Sequence, residues 1–116
     1  MHRRAIAFAL CAVAGFAPAS AEALEPPRSC ERIVDPYEGT RYEGEDLRRI
    51  RAYGVTCRRA RRVARRAHRR ALGMPVPPSG VRHFDWNGWH VTGDIRGDTD
   101  RYEATRGRGK RVHWVF

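Results

Sequence analysis

The chain has 116 residues, room for one domain, and its 23 lysines and arginines against 13 aspartates and glutamates set a formal charge of +10 at pH 7. Its longest apolar run is about thirteen residues, short of the roughly twenty a membrane-spanning helix requires. P-loop, G-x-G-x-x-G and G-x-S-x-G patterns are absent, which removes the common signatures of nucleotide-binding and serine-hydrolase sites.

The chain begins Met1-His2-Arg3-Arg4, continues apolar and uncharged from Ala5 to Ala17, and then reads Pro18-Ala19-Ser20-Ala21. Positive segment, apolar run and A-x-A site in that order predict a secretory signal peptide over residues 1–21. Cleavage is expected after Ala21, and Ala23 also fits. Cys11 follows Leu10 rather than a small residue, which argues against a lipid anchor. The mature chain of 95 residues keeps Cys30 and Cys57, and an exported protein is expected to bridge them. The expected location is extracellular or in the cell envelope.

Charge divides sharply along this mature chain. Residues 22–46 hold eight acids and three arginines, residues 47–72 hold eleven arginines and no acid, and residues 73–116 hold seven bases and five acids. Lys110 is the single lysine after the signal. Abundant arginine with abundant alanine also fits a GC-rich coding sequence. In residues 22–46, Pro26, Pro27, Pro36, Gly39 and Gly44 predict mostly loop, with room for a short strand around residues 32–34. Residues 47–53 satisfy two patterns: Leu47, Ile50 and Tyr53 suit a helical turn, Ile50 and Ala52 a strand. A strand ending at Gly54 is the preferred reading.

Residues 57–72 form the clearest element. Thr56 is a good N-cap, and Gly73 followed by Pro75 is a good stop. At 100° per residue, Cys57, Ala60, Val63, Ala64, Ala67 and Ala71 share an arc about 120° wide. Arginines 58, 59, 61, 62, 65, 66, 69 and 70 fall opposite, and His68 lies at the border. This predicts an amphipathic helix that lies close on whatever it covers, because its inward side is mostly alanine. Residues 74–80, with Pro75, Pro77 and Pro78, read as a stiff linker. Strand patterns follow: an aromatic stretch from Phe84 to Thr92 with Asn87-Gly88 as a tight turn, then Tyr102 and Ala104, a turn at Gly107-Arg108-Gly109, and Val112, Trp114 and Phe116 alternating with Arg111, His113 and Val115. The predicted fold is α+β, with one arginine-rich helix packed on an antiparallel sheet of three to four strands. Residues 22–46 form an acidic, loop-rich segment leading into an α+β unit at 47–116, all within one mature domain.

From Gly54 to Ala64 the chain reads GVTCRRARRVA, and it ends GKRVHWVF. These stretches resemble a group of small secreted proteins of high-GC Gram-positive bacteria, in which a cysteine opens an alanine-rich helix and an aromatic-Gly-Trp segment leads to a basic terminal hairpin. The resemblance implies an exported single domain and no particular activity. Many of those proteins carry a second cysteine pair in the terminal sheet. Here no cysteine follows Cys57, so the sheet is expected to hold by packing.

The arginine face is the leading functional candidate, with Arg58, Arg61, Arg62, Arg65, Arg66 and Arg69 as its anion-binding residues. Guanidinium forks match phosphate and carboxylate, and five i,i+4 arginine pairs repel one another by about 1–2.5 kcal/mol in total. Either an external polyanion or the acidic segment 22–46, tied to the helix by the Cys30–Cys57 bridge, would relieve that repulsion. The expected function is that of a non-enzymatic binding or structural module for an anionic wall polymer, an acidic protein or a membrane surface, acting as a monomer without cofactor. Nucleic acid is disfavoured as partner, because at least half of Trp86, Trp89, Tyr102 and Trp114 are read as core. The alternative is a secreted phosphodiester hydrolase built on Glu103, Arg106, Arg108, Arg111 and His113. YEATRGRGKRV is similar to the glutamate-then-arginine strand of small secreted bacterial ribonucleases, and this alternative requires Glu103 and His113 on one side of the hairpin. His83, His90 and His113 lack metal-ligand spacing, and no metal site is expected.

Overall fold

The two-faced pattern after Thr56 becomes a helix, α1 (Cys57–Leu72). Thr56 caps it, its Oγ1 accepting the Arg59 N–H at 3.2 Å, which satisfies one of the donors left free in a first turn. A computed structural model describes residues 26–116; the expected signal peptide lies outside the described residues. Gly73 ends the helix in a right-handed conformation (φ −83°) rather than a left-handed one. The N–H groups of Gly73 and Met74 return to the Arg70 and Ala71 carbonyls, and the Arg82 guanidinium adds a second donor to Ala71 and one to the Met74 carbonyl at 3.2 Å.

The helix covers one face of a six-stranded antiparallel sheet in the order β1-β2-β6-β5-β4-β3. Its strands are β1 (Arg28–Cys30), β2 (Arg48–Tyr53), β3 (Val81–Trp86), β4 (Trp89–Asp94), β5 (Arg101–Arg106) and β6 (Lys110–Val115). The class is as expected, but three to four strands was an undercount. β1 lies in the segment read as mostly loop. Three residues, Arg-Ser-Cys, carry no alternation to detect, and pairing with β2 creates the strand. At 32–34 the chain makes only an isolated bridge, Ile33 to Leu47.

The ambiguity at residues 47–53 has a structural cause. The register of β2 against β6 shifts between Arg48 and Arg51, and Arg49 has φ +50°. This bulge inserts an extra exposed residue, so that Leu47 and Ile50, three apart, are both completely buried. A helix-like spacing is thus produced inside a strand. β3 and β4 are joined by Asn87 (φ +47°) and Gly88 (φ +80°), the left-handed pair that a tight two-residue hairpin favours.

The inward face of the sheet is ordered in cross-strand rows. Gly93 pairs with Tyr102, and Tyr102 with Trp114. The Tyr102 and Trp114 rings stack at 5.3 Å with a 1° interplanar angle. A Cβ on Gly93 would lie 2.4 Å from the Tyr102 ring, so glycine is what lets that ring lie flat on β4. Above this row sit Ala60, Val63, Ala64, Ala67 and Ala71, all buried.

His68, read from the sequence as a border residue, is 0% exposed. Tyr37, from the acidic segment, folds over it: the phenol oxygen stands 2.5 Å from Nδ1. Phe116 and Tyr102 close the other sides, with ring centroids 4.3 and 5.0 Å away. Burial lowers the His68 pKa to about 3, with Arg82 adding to the effect. The ring is therefore neutral, and Nδ1 accepts from Tyr37. Burial also pushes the Tyr37 phenol well above its ordinary range, against the opposing pull of Arg69 and Arg65, so it remains a donor.

Two predictions follow from the packing. Cys30 and Cys57 are bonded, with Cα atoms 5.4 Å apart, which ties β1 to the first residue of α1. Cys30→Ala should lower unfolding free energy by about 2–5 kcal/mol in a denaturant titration. The unfolded chain binds a proton at residue 68 below about pH 6.5, whereas the folded chain does not. Its contribution to stability is present above that pH and is lost as pH falls. The loss should reach about 2–3 kcal/mol by pH 4.5, and His68→Leu should flatten the melting-temperature profile between pH 6.5 and 4.5.

Candidate functional site

Because the helix buries only alanines, one valine and His68, none of its eight arginines is buried, although Arg59 reaches back over the Trp89 ring of the sheet. Of the six expected anion-binding residues, Arg58, Arg62, Arg65, Arg66 and Arg69 are exposed and Arg61 is half-buried. Five of them, Arg58, Arg61, Arg62, Arg65 and Arg66, border one depression of about 300 Å³ with Ile33 at its floor. Arg69 lies apart from the depression, toward Tyr37.

Arg61 differs from the rest. Its Nε donates to the Glu31 carbonyl at 3.1 Å and its Nη2 to the Arg32 carbonyl at 3.4 Å. It fastens the helix to the chain beyond β1, so its guanidinium is only partly available to a ligand.

Among the described residues, no carboxylate forms an ion pair with any of the eight helix arginines. Two acids of the described part of the 22–46 segment, Asp35 and Asp46, serve their own loop instead. Asp46 accepts the Asp35 N–H at 2.9 Å and approaches Arg32 at 3.6 Å, and Asp35 accepts the Gly44 N–H at 2.9 Å. The bridge brings the acidic segment near the helix, yet what meets Arg61 there is main-chain oxygen rather than carboxylate.

The opposite face of the sheet carries no helix and gathers a second polar group. One register row runs His83, Thr92, Glu103, His113, Arg51 and Ser29 across all six strands. Glu103 Oε1 meets Arg111 Nε at 3.1 Å, and Glu103 Oε2 stands 3.4 Å from His113 Nε2. That nitrogen is buried and makes no hydrogen bond. The His113 pKa is lowered, first by burial and then by Arg111 and Arg51, while Glu103 opposes the shift. The arginines of the hydrolase alternative are divided by the fold. Arg111 stands beside Glu103, but Arg106 turns to the helix side, where it borders a cleft with Trp86. His83 and His90 stack at 6.0 Å, and among the described residues no group of histidine, cysteine and acid side chains has metal-binding proximity.

No family model matches the chain, and no curated protein or solved structure matches it either. No helix of the described residues is long and apolar enough to cross a membrane. The Cys30–Cys57 bond is consistent with an oxidising destination.

Proposed function

We propose that the protein is an exported, non-enzymatic binding module whose helix α1 holds a polyanion on its arginine face. The observation that carries this reading is the lack of any carboxylate partner for the helix arginines among the described residues. Like charges packed at i,i+4 repel, and a bound polyanion would remove that repulsion while releasing its own counterions. Phosphate polymers of the cell wall, acidic proteins and anionic membrane surfaces all offer the required charge. Long-chain inorganic polyphosphate is a suitable probe. Its affinity should fall steeply between 50 and 200 mM salt. Replacing Arg58, Arg62, Arg65 and Arg69 with glutamine should abolish binding, with the melting temperature unchanged or slightly higher. A clear drop in melting temperature, with no salt-dependent binding by the parent protein, would overturn the reading.

A second reading rests on the juxtaposition of Glu103 and His113, which share the open side of the β5–β6 hairpin. In RNA cleavage Glu103 would take the proton of a ribose 2′-hydroxyl as its oxygen bonds to phosphorus. The P–O5′ bond would break, and protonated His113 would supply the proton to the departing 5′-oxygen. Burial lowers His113, so its protonated form accumulates only in acid. Cleavage of single-stranded RNA should therefore accelerate as pH falls from 7 toward 5, and both Glu103→Gln and His113→Asn should reduce it by at least about 100-fold. Activity that survives both substitutions would exclude this site.

A further inference from the structure

A second, larger opening lies at the start of the helix and shares Arg58, Arg62 and Arg66 with the depression over Ile33. It has a volume of about 420 Å³, within the range of small-ligand sites. Arg58, Arg62 and Arg66 border it from α1, Arg106 from the end of β5, and Trp86 and Asn87 from the β3–β4 hairpin. Arg58, Arg62 and Arg66 are four residues apart, so they follow one another along the helix in steps of about 6 Å. Arg106 lies across the hairpin turn: a Cβ on Gly88 would come within 3.6 Å of its guanidinium carbon. With Arg59, which lies over the Trp89 ring, five guanidiniums from two elements surround the opening, none of them in an ion pair among the described residues, and no carboxylate lines it.

The aromatic residues divide between core and cleft. Trp89, Tyr102 and Trp114 are 2%, 3% and 1% exposed, and Trp89 is further covered by Arg59, whose guanidinium carbon is 5.7 Å from the ring centroid. Trp86 alone of the three tryptophans is half-buried. It therefore retains accessible ring surface beside the arginines, next to the amide of Asn87, which both donates and accepts hydrogen bonds. A ligand that uses every part of this lining carries phosphates for the guanidiniums, a flat ring for the indole and polar ring edges for the amide.

We infer that this cleft seats a nucleotide unit of single-stranded nucleic acid, with its phosphates on Arg58, Arg62, Arg66 and Arg106 and its base against Trp86. The inference rests on the arginine face being a polyanion site, and it narrows that site to a phosphodiester chain that bears bases. It departs from the expectation read from the sequence, where nucleic acid is disfavoured because at least half of the four aromatics are read as core; three of the four are core, and Trp86 is the remainder. Guanidinium contacts track the backbone, and stacking on an aromatic side chain accepts any base. The expected binding is therefore salt-dependent and indifferent to sequence.

The test compares an oligothymidylate with inorganic polyphosphate of equal charge, using the full mature chain. Binding of the oligothymidylate should quench tryptophan fluorescence. Trp86→Leu should abolish the quench and weaken that binding by about 5- to 150-fold, with polyphosphate binding unchanged. Arg106→Gln, a surface change that leaves the core intact, should reduce the slope of log affinity against log salt by about 0.7 for the oligothymidylate. If polyphosphate binds as tightly as the oligothymidylate and neither substitution discriminates between them, the nucleotide assignment fails while the polyanion site stands. If neither probe binds, both fail.

Discussion

A helix with almost nothing large to bury sets the terms for this structure. The inward side of α1 offers four alanines and a single valine apart from His68. Alanine contributes little buried area, and the bulk must come from elsewhere, because aromatic side chains bury about 150–250 Å² each. The sheet supplies it as the Tyr102–Trp114 stack and Trp89, and the small helix side chains let the backbone approach those rings closely. Gly93 serves the same end from beneath by leaving room for the Tyr102 ring. An arginine turned inward would have to displace this contact and desolvate a charge, so none of the eight is buried, and Arg59 only lies along the rim over Trp89. The cationic face is thus a packing consequence as much as a compositional one.

His68 and Arg82 are the two polar residues admitted to that interior, and both act at the C-terminal half of the helix. Arg82 donates to the Ala71 carbonyl at the helix end and to that of Met74 just beyond it, and its fixed charge helps hold His68 neutral. Tyr37 completes the arrangement by donating to Nδ1, which gives the acidic segment a structural task distinct from neutralising arginines. The segment is anchored at four places: by β1, by the disulfide, by the Ile33–Leu47 bridge and by Tyr37. None of its described carboxylate residues is buried.

The sheet therefore has two chemically different sides. On the helix side, cations gather around a cleft whose only half-exposed tryptophan is Trp86. On the open side, Glu103, Arg111 and His113 lie across adjacent strands, with Arg51 one strand further. The first arrangement suits binding of an anion by charge and stacking; the second has the proton donors and acceptors that phosphodiester chemistry uses. Arg106 and Arg111 sit in one hairpin of the chain, yet strand alternation assigns them to opposite sides.

The helix was legible in the sequence to the residue: a capping threonine, a 3.6-residue period in alanine and a terminal glycine are all local signals, and they fixed which arginines face outward. The β3–β4 turn was legible for the same reason, because Asn-Gly accepts left-handed backbone angles without help from the rest of the protein. Cys30 and Cys57 could be paired by elimination once export was assumed. What the sequence could not carry was anything decided between segments. β1 exists because β2 is beside it, and the β2 bulge disguised a strand with helical spacing. His68 is core because Tyr37 and Phe116 arrive from distant parts of the chain to cover it. The same holds for the site. Local periodicity determined that the arginines would share a face, while only the tertiary structure decided that Arg61 is held by main-chain oxygens, that the carboxylates stay away, and that Trp86 and Arg106 join the helix around one cleft. Charge and periodicity are properties of neighbouring residues along the chain, whereas partnership and burial depend on which surfaces meet in space.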